Sequence, residues 1–188
     1  MPTLTQEELL RHVPEISLFT NDAWHGTVCA IWQEAYAESA WNDLADVPFS
    51  VAALTVNLVN HVRMVTQTAL ELARVTREIM GQPCDADKVL LLCLLHDVCK
   101  IVENEPDPEN PGKPRKSQLG KSCQHGFMSG YYARKHALPD EVVGDLIAHS
   151  GWSKMIPATS EALCMYYADM GAADQAFFFA SHPLLLQK

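Results

Sequence analysis

"LLCLLHDVCK", residues 91–100, decides how the chain folds. Seven of its ten residues are apolar or cysteine, the signature of a helix buried on nearly every side. Yet His96 and Asp97, an imidazole beside a carboxylate, stand near its end. Burying such a pair costs on the order of several kcal/mol unless each polar group has a partner. The identity of that partner sets the chemistry of the chain.

The run belongs to a longer stretch, "DADKVLLLCLLHDVCKIVEN", with Asp85 or Asp87 placed to cap its start, and it is expected at the centre of the fold. Before it, "SVAALTVNLVNHVRMVTQTALELARVTREIMG" repeats apolar residues at three- and four-residue steps. This predicts a helix capped by Ser50 and ended by Gly81. Asn21 or Asp22 can cap a segment through "AWHGTVCAIWQEAYAESA". After the central run, "EPDPENPGKPRKSQLGKS" holds four prolines and two glycines and reads as a loop, of a length that is often functional or mobile. Three more helices follow, in "CQHGFMSGYYARKHA", in "LPDEVVGDLIAHSGW" with Pro139 in the first turn, and in "TSEALCMYYADMGAADQAFFFA". Strand-like alternation is absent over any useful length. The expectation is an all-α fold, one helical domain over residues 1–188 with its core at about 50–174.

Bulk composition agrees with that class. A chain of 188 residues suffices for one sizeable core and is short for two, and 48% hydrophobic with 20% charged residues is ordinary for a soluble domain. The net charge of −9 argues against a general affinity for nucleic acid. Bound divalent cations would offset that charge locally, so a phosphorylated substrate is compatible with it. No run of about 18 uncharged apolar residues offers a membrane span. The start, "MPTLTQEELLRHVPE", carries acids and prolines where a secretory signal needs a basic start and an apolar core, so a cytoplasmic location is expected. The six cysteines form no CxxC pair and read as free thiols.

Of eight histidines, four fall on the expected core helices. His61 lies mid-way along the longest, His96 in the most apolar, His125 at a helix start and His149 at a helix end. Asp97 and Asp169 join them amid apolar residues. Any one of these is readily a hydrogen-bonded core residue, whereas six together make an improbable set of independent satisfied groups. Neutral imidazole with carboxylate suits one or two ions of Fe, Mn, Co, Ni or Zn, and helices can project such ligands to a shared centre. A metal would be the missing partner. On one helix, adjacent side chains point about 100° apart, so His96 and Asp97 are expected to straddle the site, the carboxylate bridging two ions.

This pattern resembles the HD-domain superfamily of metal-dependent phosphohydrolases, in which a His, a His-Asp doublet and a distant Asp occur in order, with two further histidines in dinuclear members. The match is His61, His96-Asp97 and Asp169, with His125 and His149, and "HDVCK" is similar to the family's HDxxK extension. The segment "LIAHSGWSKMIPATSEALCMYYADMGAAD" resembles the HD portion of 3′–5′ exoribonucleases, though His149-Ser150-Gly151 stands where those commonly show His-His-Gly, and no separate nucleic-acid-binding domain is expected. The resemblance implies a first ion on His61, His96, Asp97 and Asp169 and a second on Asp97, His125 and His149. It implies hydrolysis of a phosphate ester with a metal-activated water, on a nucleotide or small phosphorylated metabolite in preference to nucleic acid.

Lys100 follows His96 by one helical step and is expected to meet a phosphate oxygen, or else to be an ordinary cation at a helix C-terminus. Asp97 and Lys100 are thus the candidate catalytic residues. Glu103 could reach the same rim, or be a plain polar helix exit. In the loop, Arg115 and Lys116, with Lys113 and Lys121, are candidates for collecting an anionic substrate, against the reading of a solvated charge run. Trp152 is a candidate stacking surface for a substrate ring, or a core residue. "FFF" at 177–179 and "LLL" at 184–186 suggest a packed C-terminus or a homodimer contact. Two alternatives stand beside the hydrolase. One is a di-iron oxygenase of HD type, because the same His and Asp set serves that chemistry; the other is a non-catalytic ligand-binding HD module.

Overall fold

The computed structural model describes residues 3–150 and 153–187. Helix α1 spans Gln6–His12, closed by a capping box between Thr5 and Glu8, and α2 spans Asp22–Ala37 with the Asn21 side chain accepting from Ala23 and Trp24 N–H. The long α3 runs Leu58–Met80 and ends at Gly81, whose φ of 65° is the left-handed turn that glycine adopts without a Cβ penalty. Helix α4, Ala86–Leu95, is capped by Asp85, and the short α5 spans Lys100–Glu103. Then come α6 Gln118–Ser122, α7 His125–Lys135, α8 Asp140–Ala148 and α9 Ser160–Phe179. The all-α class holds, with two small two-stranded sheets added.

Burial explains the arrangement. Every residue of α4 from Val89 on is buried, and the helix packs against α3, α9, α8 and α2. Sequestering each such side chain is worth about 1.5–3 kcal/mol relative to leaving it exposed. Trp32 on α2 fixes the depth of α4 by donating from its indole N–H to Leu94 O at 2.9 Å. Helices α7 and α8 approach closely because Gly126 and Gly130 present no side chain: a Cβ at Gly130 would stand 2.6 Å from Ile147, and one at Gly126 2.8 Å from Ser150. All six cysteines are free. No helix among the described residues is long and apolar enough to cross a membrane.

Four local expectations are corrected. Residues 50–57 are not the first turns of α3: Pro48–Ser50 (β1) and Ala53–Asn57 (β2) form an antiparallel hairpin, and Asn57 rather than Ser50 caps the helix. The β-branched Thr55 and Val56 favour extended backbone, and the hairpin buries Phe49 and Ala53 in a second apolar cluster with Ala173, Ala176 and Phe177. The central helix stops at Leu95, and residues 96–99 form a turn, the Ser129 hydroxyl donating to His96 O at 2.8 Å. The proline-rich stretch is ordered as a second hairpin, Asn104–Pro106 (β3) with Pro114–Lys116 (β4), followed by α6. Pro139 sits at the cap of α8, one position ahead of its first turn. In the C-terminal aromatic run, Phe177 is buried while Phe178 and Phe179 are exposed.

Candidate metal centre

Five elements converge on one point. His61 projects from the first turn of α3, His96 and Asp97 from the turn that ends α4, and His125 is the first residue of α7. His149 caps the C-terminus of α8, and Asp169 comes from mid-α9. His61, His96, Asp97 and His149 are buried. Every metal ligand expected from the sequence is therefore in one cluster. Trp152 lies outside the described residues.

Asp97 organises the cluster by dividing its carboxylate. Oδ2 lies 3.3 Å from His61 Nε2 and 3.5 Å from His96 Nε2. Oδ1 faces the other way, 3.4 Å from His125 Nε2 and 3.6 Å from His149 Nε2. Asp169 Oδ1 completes the first group, 3.0 Å from His61 Nε2 and 3.7 Å from His96 Nε2. The result is two groups of donor atoms, each within 4.8 Å mutually, sharing Asp97. The break in the helix after Leu95 supplies what adjacent positions on a straight helix would not, since the turn brings both members of the doublet to the same centre.

Two of the imidazoles are held in one tautomer. His96 Nδ1 contacts Cys93 O at 2.7 Å and His149 Nδ1 contacts Leu146 O at 2.5 Å. Donation from Nδ1 to those carbonyls leaves each Nε2 lone pair aimed at the centre, the arrangement in which histidine binds metal. His149 Nε2 is buried without a hydrogen-bond partner, a costly omission in an all-protein core and the expected state of a ligand atom. The donor set and this orphaned nitrogen fit divalent transition metal.

Electrostatics agree. Burial pushes the Asp97 carboxyl up, but the Lys100 ammonium 3.5 Å away, with His96 and His125, holds it well below the usual carboxylate range. Asp169 is likewise depressed against its burial by hydrogen bonds to His61 and His96. Burial disfavours the charged form of His61, yet Asp169 and Asp97 outweigh it and raise its pKa, whereas burial and Lys100 lower that of His125. In metal-free protein, the depressed carboxylates contribute stability above about pH 4 that is lost on acidification, and the raised His61 contributes stability below about pH 6.5 that fades as pH rises through its folded value. A cation entering the first group displaces the His61 proton. Its apparent affinity is therefore expected to rise about tenfold per pH unit between pH 6 and the raised His61 value, a slope that competition with a chromophoric chelator reads directly; a flat profile would contradict it.

Two residues complete the surroundings. Phe49, which the sequence did not single out, stacks on His61 (centroids 3.8 Å apart, planes at 26°) and carries Lys100 Nζ 4.7 Å above its ring. Glu103, left open as a polar helix exit, is buried against His125. Residues 96, 100 and 103 recur at helical spacing within an apolar run, and that recurrence was the signal for Glu103. Among the cations, Lys116 pairs with Glu103 at 2.8 Å and Arg115 with Glu105 at 2.8 Å and Asp107 at 3.5 Å. Asp174 accepts from Leu185 N–H and takes no part in the centre.

The HD domain family model matches residues 58–174, well over half of the chain, and spans all six clustered residues: His61 lies just inside its start and Asp169 just inside its end. The chain belongs to the HD domain family, whose members bind divalent metals on a helical fold. No curated protein and no solved structure matches it, so the closer likeness to exoribonucleases is not shown.

Proposed function

We propose that the protein is a metal-dependent phosphohydrolase with a dinuclear centre, a single domain acting on a nucleotide or other small phosphorylated metabolite. The observation that carries this reading is the divided carboxylate of Asp97, one oxygen toward each donor group. Two divalent ions bound there would supply an acidified water and stabilise the attacking and leaving oxygens of an in-line displacement at phosphorus. His61, His96 and Asp169 would hold one ion, His125 and His149 the other, and Asp97 both.

The chain's own residues have defined parts. Lys100 is buried, with its ammonium 3.5 Å from Asp97 Oδ2 and above the Phe49 ring, so it presents a desolvated cation beside the centre to a phosphate oxygen. Phe49 and the first hairpin shield His61 from water. Arg115 and Lys116, partly exposed on β4 and each paired with an acid, are the cations of the second hairpin proposed to meet an anionic substrate, and Trp152 is the ring proposed to stack on a base.

A panel of nucleoside monophosphates, cyclic nucleotides and short RNA, offered to protein loaded with Mn, Co, Ni, Fe or Zn, tests the reading. Release of phosphate from a small ester is expected. Lys100→Met is expected to lower kcat/KM for that ester about 10²-fold with metal content unchanged, the loss typical of removing one preorganised charge donor. Iron-bound, coloured protein that consumes O₂ and leaves every phosphoester intact would replace the hydrolase by the oxygenase.

A further inference from the structure

Glu103 is a buried carboxylate that belongs to neither group of donor atoms, yet four features fix it in place. Its Oε1 lies 3.3 Å from His125 Nδ1, and its Oε2 lies 2.8 Å from Lys116 Nζ on β4. Its backbone carbonyl accepts from Ser117 N–H at 3.0 Å, while the Ser117 hydroxyl donates to the neighbouring Val102 O at 2.7 Å. Helix α6 lies flush on it: a Cβ at Gly120 would collide with the Glu103 carbonyl and come within 3.0 Å of its side chain. A residue at a plain helix exit has no need of such confinement. The carboxylate thus lies between an ammonium and an imidazole nitrogen, one oxygen toward each.

The contrast among the four imidazoles shows what this anion is for. His96 and His149 are oriented by backbone carbonyls, and His61 Nδ1 is buried without a partner. Only His125, among the four, has a charged acceptor on Nδ1. His125 is also the least buried of them and begins its helix, where no preceding turn restrains it. Without Glu103, its ring is free to rotate away from Asp97 Oδ1.

We propose that Glu103 is a positioning residue for the second ion: by accepting from His125 Nδ1–H it fixes the tautomer and orientation of that ring, and so sets second-ion affinity without affecting the first. Lys116 holds the carboxylate in turn, which couples the second hairpin to occupancy of the second site. The inference rests on the dinuclear reading. Outer carboxylates of this kind are typically worth 10–100-fold in metal affinity.

Titration of metal-free protein with Mn²⁺, followed by EPR, separates the two ions, because a carboxylate-bridged pair gives a coupled spectrum that a single ion does not. Wild type is expected to take up two ions and develop the coupled signal. Glu103→Gln, which keeps an acceptor and loses the charge, is expected to weaken the second uptake about tenfold, and Glu103→Ala about 100-fold, with first-ion affinity unchanged in both. Equal second-ion affinity in wild type and both variants overturns the inference alone. Parallel loss of both ions in Glu103→Gln overturns it in favour of a role in folding. A wild-type chain that binds no ion overturns the dinuclear centre and the inference with it.

Discussion

Asp97→Ala is expected to empty both ion sites and abolish turnover, a loss of at least about 10³-fold. No other side chain in the cluster faces both donor groups: Oδ2 serves His61 and His96, Oδ1 serves His125 and His149. Removing it leaves each group one donor short and removes the anion that offsets the charge of two cations. At about 1.4 kcal/mol per factor of ten, the several kcal/mol of transition-state stabilisation ascribed to bound metal account for that magnitude. Asp97→Asn keeps the shape of the side chain and discards its charge, so it separates the two contributions: near-total loss here too would assign the effect to charge. Elemental analysis and the phosphoester assay read both outcomes. Full metal occupancy and turnover in Asp97→Ala would end the assignment.

Chelation is expected to lower Tm by about 8–16 °C relative to protein in saturating metal. A ligand at about 1,000 times its Kd stabilises the folded state by about 4 kcal/mol, and about 1 kcal/mol moves Tm by 2–4 °C in a chain of this size. The buried site gives the physical reason. Without cations it confines four imidazoles and two carboxylates among α3, α4, α7, α8 and α9, with His149 Nε2 unpaired. Differential scanning calorimetry with and without chelator checks the shift, which should grow with the logarithm of metal concentration. An identical Tm in both conditions would show that the cluster is satisfied by protein alone.

How far the sequence reaches follows from where each signal resides. The six clustered residues were legible because each is a local anomaly: His61 on an apolar helix face, the His96-Asp97 doublet in a leucine run, His125 and His149 at helix ends, and Asp169 inside a helix. The helices themselves follow from apolar spacing and from caps such as Asn21, Asp85 and Gly81. Two features, and the surroundings of a third, escaped because long-range contacts create them. The turn after Leu95 is held by Ser129 of α7, thirty-three residues on. The first hairpin borrows its apolar partners from α9, so the spacing of "SVAALTV" continues the helical pattern although the backbone does not. The rim position of Glu103 was legible from its spacing with His96 and Lys100, but its enclosure by His125, Lys116 and Gly120 was not. Its burial is a property of the tertiary structure.

The account stands on Asp97 dividing its carboxylate between two cations. Anomalous diffraction from crystals of Mn²⁺-loaded protein tests this most directly. Two peaks are predicted, about 3.5–4 Å apart as in bridged two-metal sites, one among His61, His96 and Asp169, the other against His125 and His149, with Asp97 between them. Fully loaded protein with no peak beside Asp97 would contradict it.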